Sequence, residues 1–209
     1  MSDNNTPRHE VLLPPDWSDE ARDALGQFPG AMNFVVKGWD DNGYAVRGTN
    51  MLGAAANFPA LTKAFMAYNN QVVTNSSITT REREIIILRL GWLAKCEYEY
   101  VMHLILGRRA GLTDAEIAAI EQGPDSEGLT PEDADLVRMT DEVLRDCRIS
   151  DTTWQRLAGR YTANQIMDMI FLVGCYNVLA MYINTFRIPV EESEPALDED
   201  VRARMMGQS

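Results

Sequence analysis

Three side chains able to do chemistry fall at helical spacing in the stretch 81–112: Cys96, Glu99 and His103. They stand at i, i+3 and i+7, so one α-helix carries all three on a single face. Glu99 and His103 would lie about 6 Å apart along the axis, with Cys96 a further ~4 Å away. A thiol, a carboxylate and an imidazole in that arrangement can attack, move a proton and orient the base. The chain has only two histidines, and His9 lies in a polar N-terminal stretch. His103 is therefore the imidazole expected inside the fold.

A fourth group, Glu84, depends on the elements that carry it. Thr79-Thr80-Arg81-Glu82 has the form of a capping box opening a helix, and Ile85 to Trp92 make that helix apolar nearly all round. On one straight helix Glu84 and Cys96 would be about 18 Å apart and rotated by roughly 120°. A break near 91–95, at Gly91 or the Ala94-Lys95 step, changes this. If the two arms fold back antiparallel, Glu84 lies about as far from the bend as His103. It can then hydrogen-bond the imidazole, fixing its tautomer and raising its basicity. Cys96 would sit in the first turn of the second helix, where free N–H groups and the helix dipole lower a thiol pKa. Glu97 and Glu99 act the other way, and the net direction stays open.

The remaining elements read as an all-α scaffold. Ser18 or Asp16 caps a short helix through Leu25, and a second short helix is expected over 31–37, followed by a loop rich in Gly, Asp and Asn. Helices follow over 49–57 and 59–74, with Pro59 in a first turn. Gly111 closes the helix carrying His103, and Thr113 caps a short helix to Glu121. Further helices are expected over 130–147, 150–161 and 163–186. The last is apolar along its length, but Gln165, Asp168, Asn177 and Asn184 interrupt it and no positive flanks adjoin it. It reads as a core or subunit-interface helix, not a membrane span. No strand alternation occurs. The expected organisation is a disordered tail over 1–10, a single all-α domain over 11–190 and an acidic, mobile tail over 191–209.

Composition narrows the function. The 209 residues are 45% hydrophobic, enough for a sizeable core, and carry 19 basic against 31 acidic residues, a net charge of −12. That surface argues against nucleic acid and against anionic membranes as partners. No apolar segment follows a basic N-terminal region, and three widely spaced cysteines suit a reducing compartment, so the expected location is cytoplasmic. Cys147 and Cys175 fit amphipathic and core positions and are assigned no chemistry. No phosphate-cradling glycine loop and no His/Cys cluster of metal-ligand spacing is present. No cofactor or metal is expected, since Glu84, Glu99 and His103 offer a divalent ion only one imidazole.

Glu84, Cys96, Glu99 and His103, followed by Ala110-Gly111-Leu112-Thr113 with Glu116-Ile117, resemble the carboxymuconolactone decarboxylase and alkylhydroperoxidase D-like superfamily. The resemblance covers roughly residues 50–190. It implies an all-helical fold and a homo-oligomer, commonly a dimer, trimer or hexamer, acting on a small-molecule substrate. The peroxidase branch uses a Glu, a Cys-x-x-Cys and a His four residues after the second Cys. Glu84, Cys96 and His103 match three of these, and Glu99 replaces the second cysteine. The decarboxylase branch typically keeps Glu-x-x-x-His, here Glu99 and His103, and needs no thiol.

Taken singly, each residue has an ordinary reading: a semi-buried thiol, an i,i+4 pair contributing ~0.3 kcal/mol, a carboxylate beside Arg81, Arg83 and Arg89. Jointly they favour function, because the one imidazole expected in the fold shares a face with two of them, at the family's spacing. The preferred reading is a decarboxylase-, lyase- or isomerase-type enzyme in which His103, oriented by Glu84 or Glu99, moves a proton next to a carbonyl or carboxylate. The alternative is a single-cysteine peroxidase in which Cys96 attacks a hydroperoxide and is resolved by an external thiol. A non-catalytic helical oligomer is the third reading.

Overall fold

The computed structural model describes residues 6–208, and every regular element among them is helical. The expected tail over 1–10 falls partly outside this range. Its described part is held, with the Arg8 amide donating to the Phe186 carbonyl at 2.8 Å and the Asn57 side-chain amide donating to Glu10 O at 2.8 Å. Where one domain over 11–190 was expected, the chain divides into two compact units: Met1–Thr74 with Met181–Ala196, and Asn75–Ala180 with Leu197–Ser209.

The first unit carries α1 (Asp19–Leu25), α2 (Pro29–Asn42), α3 (Thr49–Ala55) and α4 (Pro59–Thr74). Ser18 caps α1 by accepting from the Ala21 amide. The apolar faces close over Trp17, Leu25, Val35, Leu52 and Met66, all nearly inaccessible. α2 is longer than its sequence suggests. Gly38 is not a turn residue: a Cβ there would stand 2.5 Å from a Val46 methyl, so it permits a close approach inside a helix. The Asp and Asn residues after it stay helical through a Lys37–Asp41 pair and an Asn42-to-Gly38 hydrogen bond, until Gly43 ends the helix at φ 73°. Gly48 leaves α3 without a capping side chain, and the buried Glu191 supplies one, its carboxylate accepting from the Asn50 amide at 2.8 Å.

The second unit carries α5 (Thr80–Leu93), α6 (Glu97–Arg109), α7 (Asp114–Gln122), α8 (Pro131–Asp146), α9 (Asp151–Ala158), most of α10 (Ala163–Phe186), and α11 (Glu199–Met206). Both capping boxes are present, Thr79 with Glu82 and Thr113 with Glu116. α5 is buried without a break from Glu84 to Gly91, as expected of an element apolar on all sides. Its partners are α6, α7 and α8. Arg89 crosses to α8 and α7, pairing with Asp141 at 2.6 Å and donating to the Ile120 and Glu121 carbonyls that end α7. α10 is long and apolar enough to cross a membrane, the one such helix among the described residues, and half of its most apolar window is buried.

The acidic C-terminal segment differs from the expected mobile tail. Arg202 grips Glu97 through two of its guanidinium nitrogens, Arg204 reaches Glu121 at 3.0 Å, and Lys95 donates to the Met206 carbonyl at 3.0 Å. Asp198 caps the helix so held. Acidic residues near its start and arginines further along suit a helix dipole, a pattern hidden by the net charge of the segment.

Candidate active site

The break between α5 and α6 is a Schellman turn. The Cys96 amide donates to Gly91 O at 2.9 Å, the Lys95 amide to Trp92 O at 3.1 Å, and Lys95 takes the left-handed conformation at φ 50°. The chain then reverses, and the arms cross with Gly91 facing the Tyr100 backbone. Antiparallel reversal carries Glu84 and His103 to the same level. His103 Nδ1 lies 2.6 Å from Glu84 Oε2. The carboxylate is 1% exposed and the imidazole 9%, so Glu84 stands behind and His103 in front.

Glu84 is an anion in this setting. Burial pushes its carboxyl upward, but the imidazole and the Arg83 guanidinium outweigh burial and hold it below the usual carboxylate range. Arg83 Nε donates to the other oxygen, Oε1, at 3.3 Å. An ionised carboxylate only accepts, so the proton between Glu84 and His103 belongs to Nδ1.

Glu99 behaves differently. Its spacing places it one turn from His103, yet neither of its oxygens has a hydrogen-bond partner among the described residues. The expected Glu99–His103 pair is thus not a hydrogen-bonded pair, and Glu84 is the imidazole's partner. Glu99 is 3% exposed, and burial holds its carboxyl well above the ordinary value. It is a neutral acid, the opposite of Glu84 on the neighbouring helix.

Cys96 is the N-cap of α6, with its side chain fully buried and capping nothing. Burial above all pushes its thiol far up, beyond what the Glu99 and Tyr98 amides recover. The direction left open by the sequence is therefore upward. Two neighbours come from α10 and have no local signal in the sequence. Tyr176 meets the imidazole edge-on, ring centroids 5.1 Å apart at 83°, and fixes the plane of the ring. Cys175 is fully buried, and burial pushes its thiol up to about 12. Among the described residues no set of three His, Cys, Asp or Glu side chains is disposed to hold a metal ion. An open groove of about 520 Å³ lies between the starts of α5 and α8 and includes none of the four candidate residues. Its arginines are committed, Arg81 to Asp133 and Glu116 and Arg160 to Asp135.

The Glu84–His103 contact thus joins two antiparallel helices of an all-α unit. The carboxymuconolactone decarboxylase family model matches residues 59–143, which include α5, α6 and all four candidates. The uncharacterized protein YdfG of Bacillus subtilis (strain 168) is 22% identical over 104 residues, 49% of this chain and 71% of its own. Solved structures share the fold. An uncharacterized peroxidase-related protein with an alkylhydroperoxidase AhpD core, from Ralstonia eutropha JMP134, has a TM-score of 0.70 at 15% identity over 97% of both chains. The debrominase Bmp8 has a TM-score of 0.66 at 12% identity over 100% of both. A protein of unknown function from Agrobacterium tumefaciens, related by its description to antioxidant defence protein AhpD, has a TM-score of 0.60 at 22% identity, covering 68% of this chain and 96% of that one. Residues 59–143 thus carry a carboxymuconolactone decarboxylase-type region, and the chain shares its fold with AhpD-like structures.

Proposed function

We propose that this protein is a cytoplasmic, homo-oligomeric enzyme of the decarboxylase, lyase or isomerase type, moving a proton at carbon next to a carbonyl or carboxylate. Its substrate is a small organic acid, lactone or ketone. The observation that carries this reading is the 2.6 Å contact of His103 Nδ1 with the buried Glu84 carboxylate, which leaves Nε2 as the base. Glu99, neutral and buried, is suited to donate a proton to an oxygen that gains charge as the carbon loses its own. Two carboxyl groups pushed in opposite directions by their surroundings fit a division into base support and acid.

The peroxidase-related and antioxidant-defence descriptions of the structural neighbours suggest thiol chemistry instead. Cys96 is poorly suited to it, because attack on a hydroperoxide needs an accessible thiolate, and this thiol is inaccessible and strongly disfavours ionisation. The test is to incubate the protein in D2O with a panel of small keto acids, ketones and lactones, following loss of the proton next to the carbonyl by NMR. His103→Gln is expected to slow exchange by ~10²–10⁴-fold, and Cys96→Ser to leave most of it. Activity that vanishes in a folded Cys96→Ser, with hydroperoxide consumption by the native protein, would replace this reading with the peroxidase.

A further inference from the structure

We infer that Arg83 is a positioning residue that keeps the second proton off the Glu84–His103 pair and so keeps Nε2 of His103 available as a base. Three arginines flank Glu84 in sequence, and only one of them bonds to it. Arg81 is taken by Asp133 and Glu116, and Arg89 by Asp141 and the end of α7. Arg83 Nε donates to Glu84 Oε1, the oxygen that the imidazole does not use.

The consequence follows from counting protons. With one mobile proton the pair holds it on Nδ1, between imidazole and carboxylate, and Nε2 has a lone pair. A second proton has two places to go. It can make an imidazolium beside a carboxylate, or a carboxylic acid that donates to Nδ1 of a ring protonated at Nε2. Nε2 carries a hydrogen in both arrangements, so the base is lost in either. A guanidinium at Oε1 opposes that second proton, because it competes for the same oxygen and adds positive charge beside a group about to gain more. The other titratable groups around the pair do not take over this role. Glu99 and Cys96 on α6 and Cys175 and Tyr176 on α10 all favour their neutral forms. Arg83 therefore widens, toward acid, the range in which His103 can accept a proton from a substrate. This use of the proton rests on the proposed function, whereas the proton's position does not.

The test needs no substrate. The full chain is labelled with 15N-histidine, and the two ring nitrogens are followed by long-range 1H–15N NMR against pH, with His9→Gln identifying the His103 signals. At neutral pH the native protein is expected to show a protonated Nδ1 and a bare Nε2. In Arg83→Met the protonation of Nε2 is expected to move to higher pH, and Arg83→Lys should move most of the way back. Arg83→Gln gives a second reading should the methionine variant fail to fold. A native Nε2 that carries the proton while Nδ1 is bare would overturn the inference. So would a folded Arg83→Met or Arg83→Gln that titrates like the native chain, or a lysine variant no closer to native than methionine. If the nitrogens behave as expected but no substrate proton exchanges, the proposed function fails and the role of Arg83 stands.

Discussion

Glu99 offers a measurable conflict between stability and chemistry. It is 3% exposed and neither oxygen meets a partner among the described residues, so the full cost of desolvating a polar group applies. Such a group costs roughly 1–3 kcal/mol. Glu99→Leu removes it at similar volume and is expected to stabilise the protein by about 2 kcal/mol, which for a chain of this size raises the Tm by roughly 4–8 °C. Glu99→Gln keeps an unpartnered polar group but no ionisable one, so it should fall between native and leucine. pH separates the two effects. A carboxyl held above its unfolded value near 4.5 binds its proton more tightly in the native state. Its stabilising contribution is complete below that value and is lost as pH rises toward the folded value. Native stability should therefore decline with pH more steeply than that of either variant across the weakly acidic range. Urea unfolding followed by tryptophan fluorescence at several pH values reads both effects from the midpoint, provided m is unchanged. Folded variants that are both less stable than the native chain, or a native slope that persists in Glu99→Gln, would refute the reasoning.

Thiol labelling with a disulfide reagent should find one reactive cysteine in the native chain, Cys147, and three in denaturant, since Cys96 and Cys175 are buried. Cys96 reacting as readily as Cys147 would contradict the site as described. On α10, Met167, Ile170 and Val178 are exposed on one side, along with Met181 a turn further on. An oligomer seated on that face should dissociate in Met167→Glu/Val178→Glu, seen as a fall in mass by light scattering at micromolar protein, while a native chain already monomeric there removes the proposed assembly.

The site was legible in the sequence where local rules set it. The Thr79 capping box, the bend before Cys96 and the equal distances of Glu84 and His103 from that bend together predict one hydrogen bond, and that hydrogen bond is present. Burial was not legible. Helical spacing puts Glu99 nearer His103 in sequence than Glu84, but spacing says nothing about which carboxylate is ionised; both are desolvated, and the imidazole and Arg83 beside Glu84, which Glu99 lacks, separate the two. Tyr176 and Cys175 reach the site from α10, beyond any local pattern. Gly38 and the Asp-Asn run after it suggested a loop because a glycine that admits Val46 looks, in sequence, like one that turns the chain. The helix α11 was hidden for a related reason: the acidic partners of its arginines lie on α6 and α7.

That last helix has a consequence for how the protein is made. Glu84 and His103 are 19 residues apart, so the hairpin that joins them closes from contacts local in the chain. Arg202, which clamps the residue after Cys96, comes 105 residues after the glutamate it grips. At a synthesis rate of about 5–20 residues per second, the hairpin waits roughly 5–20 s for its clamp. Through that interval the turn seating Cys96 lacks its ties to Arg202 and to the Met206 carbonyl, and the thiol meets the chemistry of the cell at the ribosome under weaker protection than it has in the finished fold.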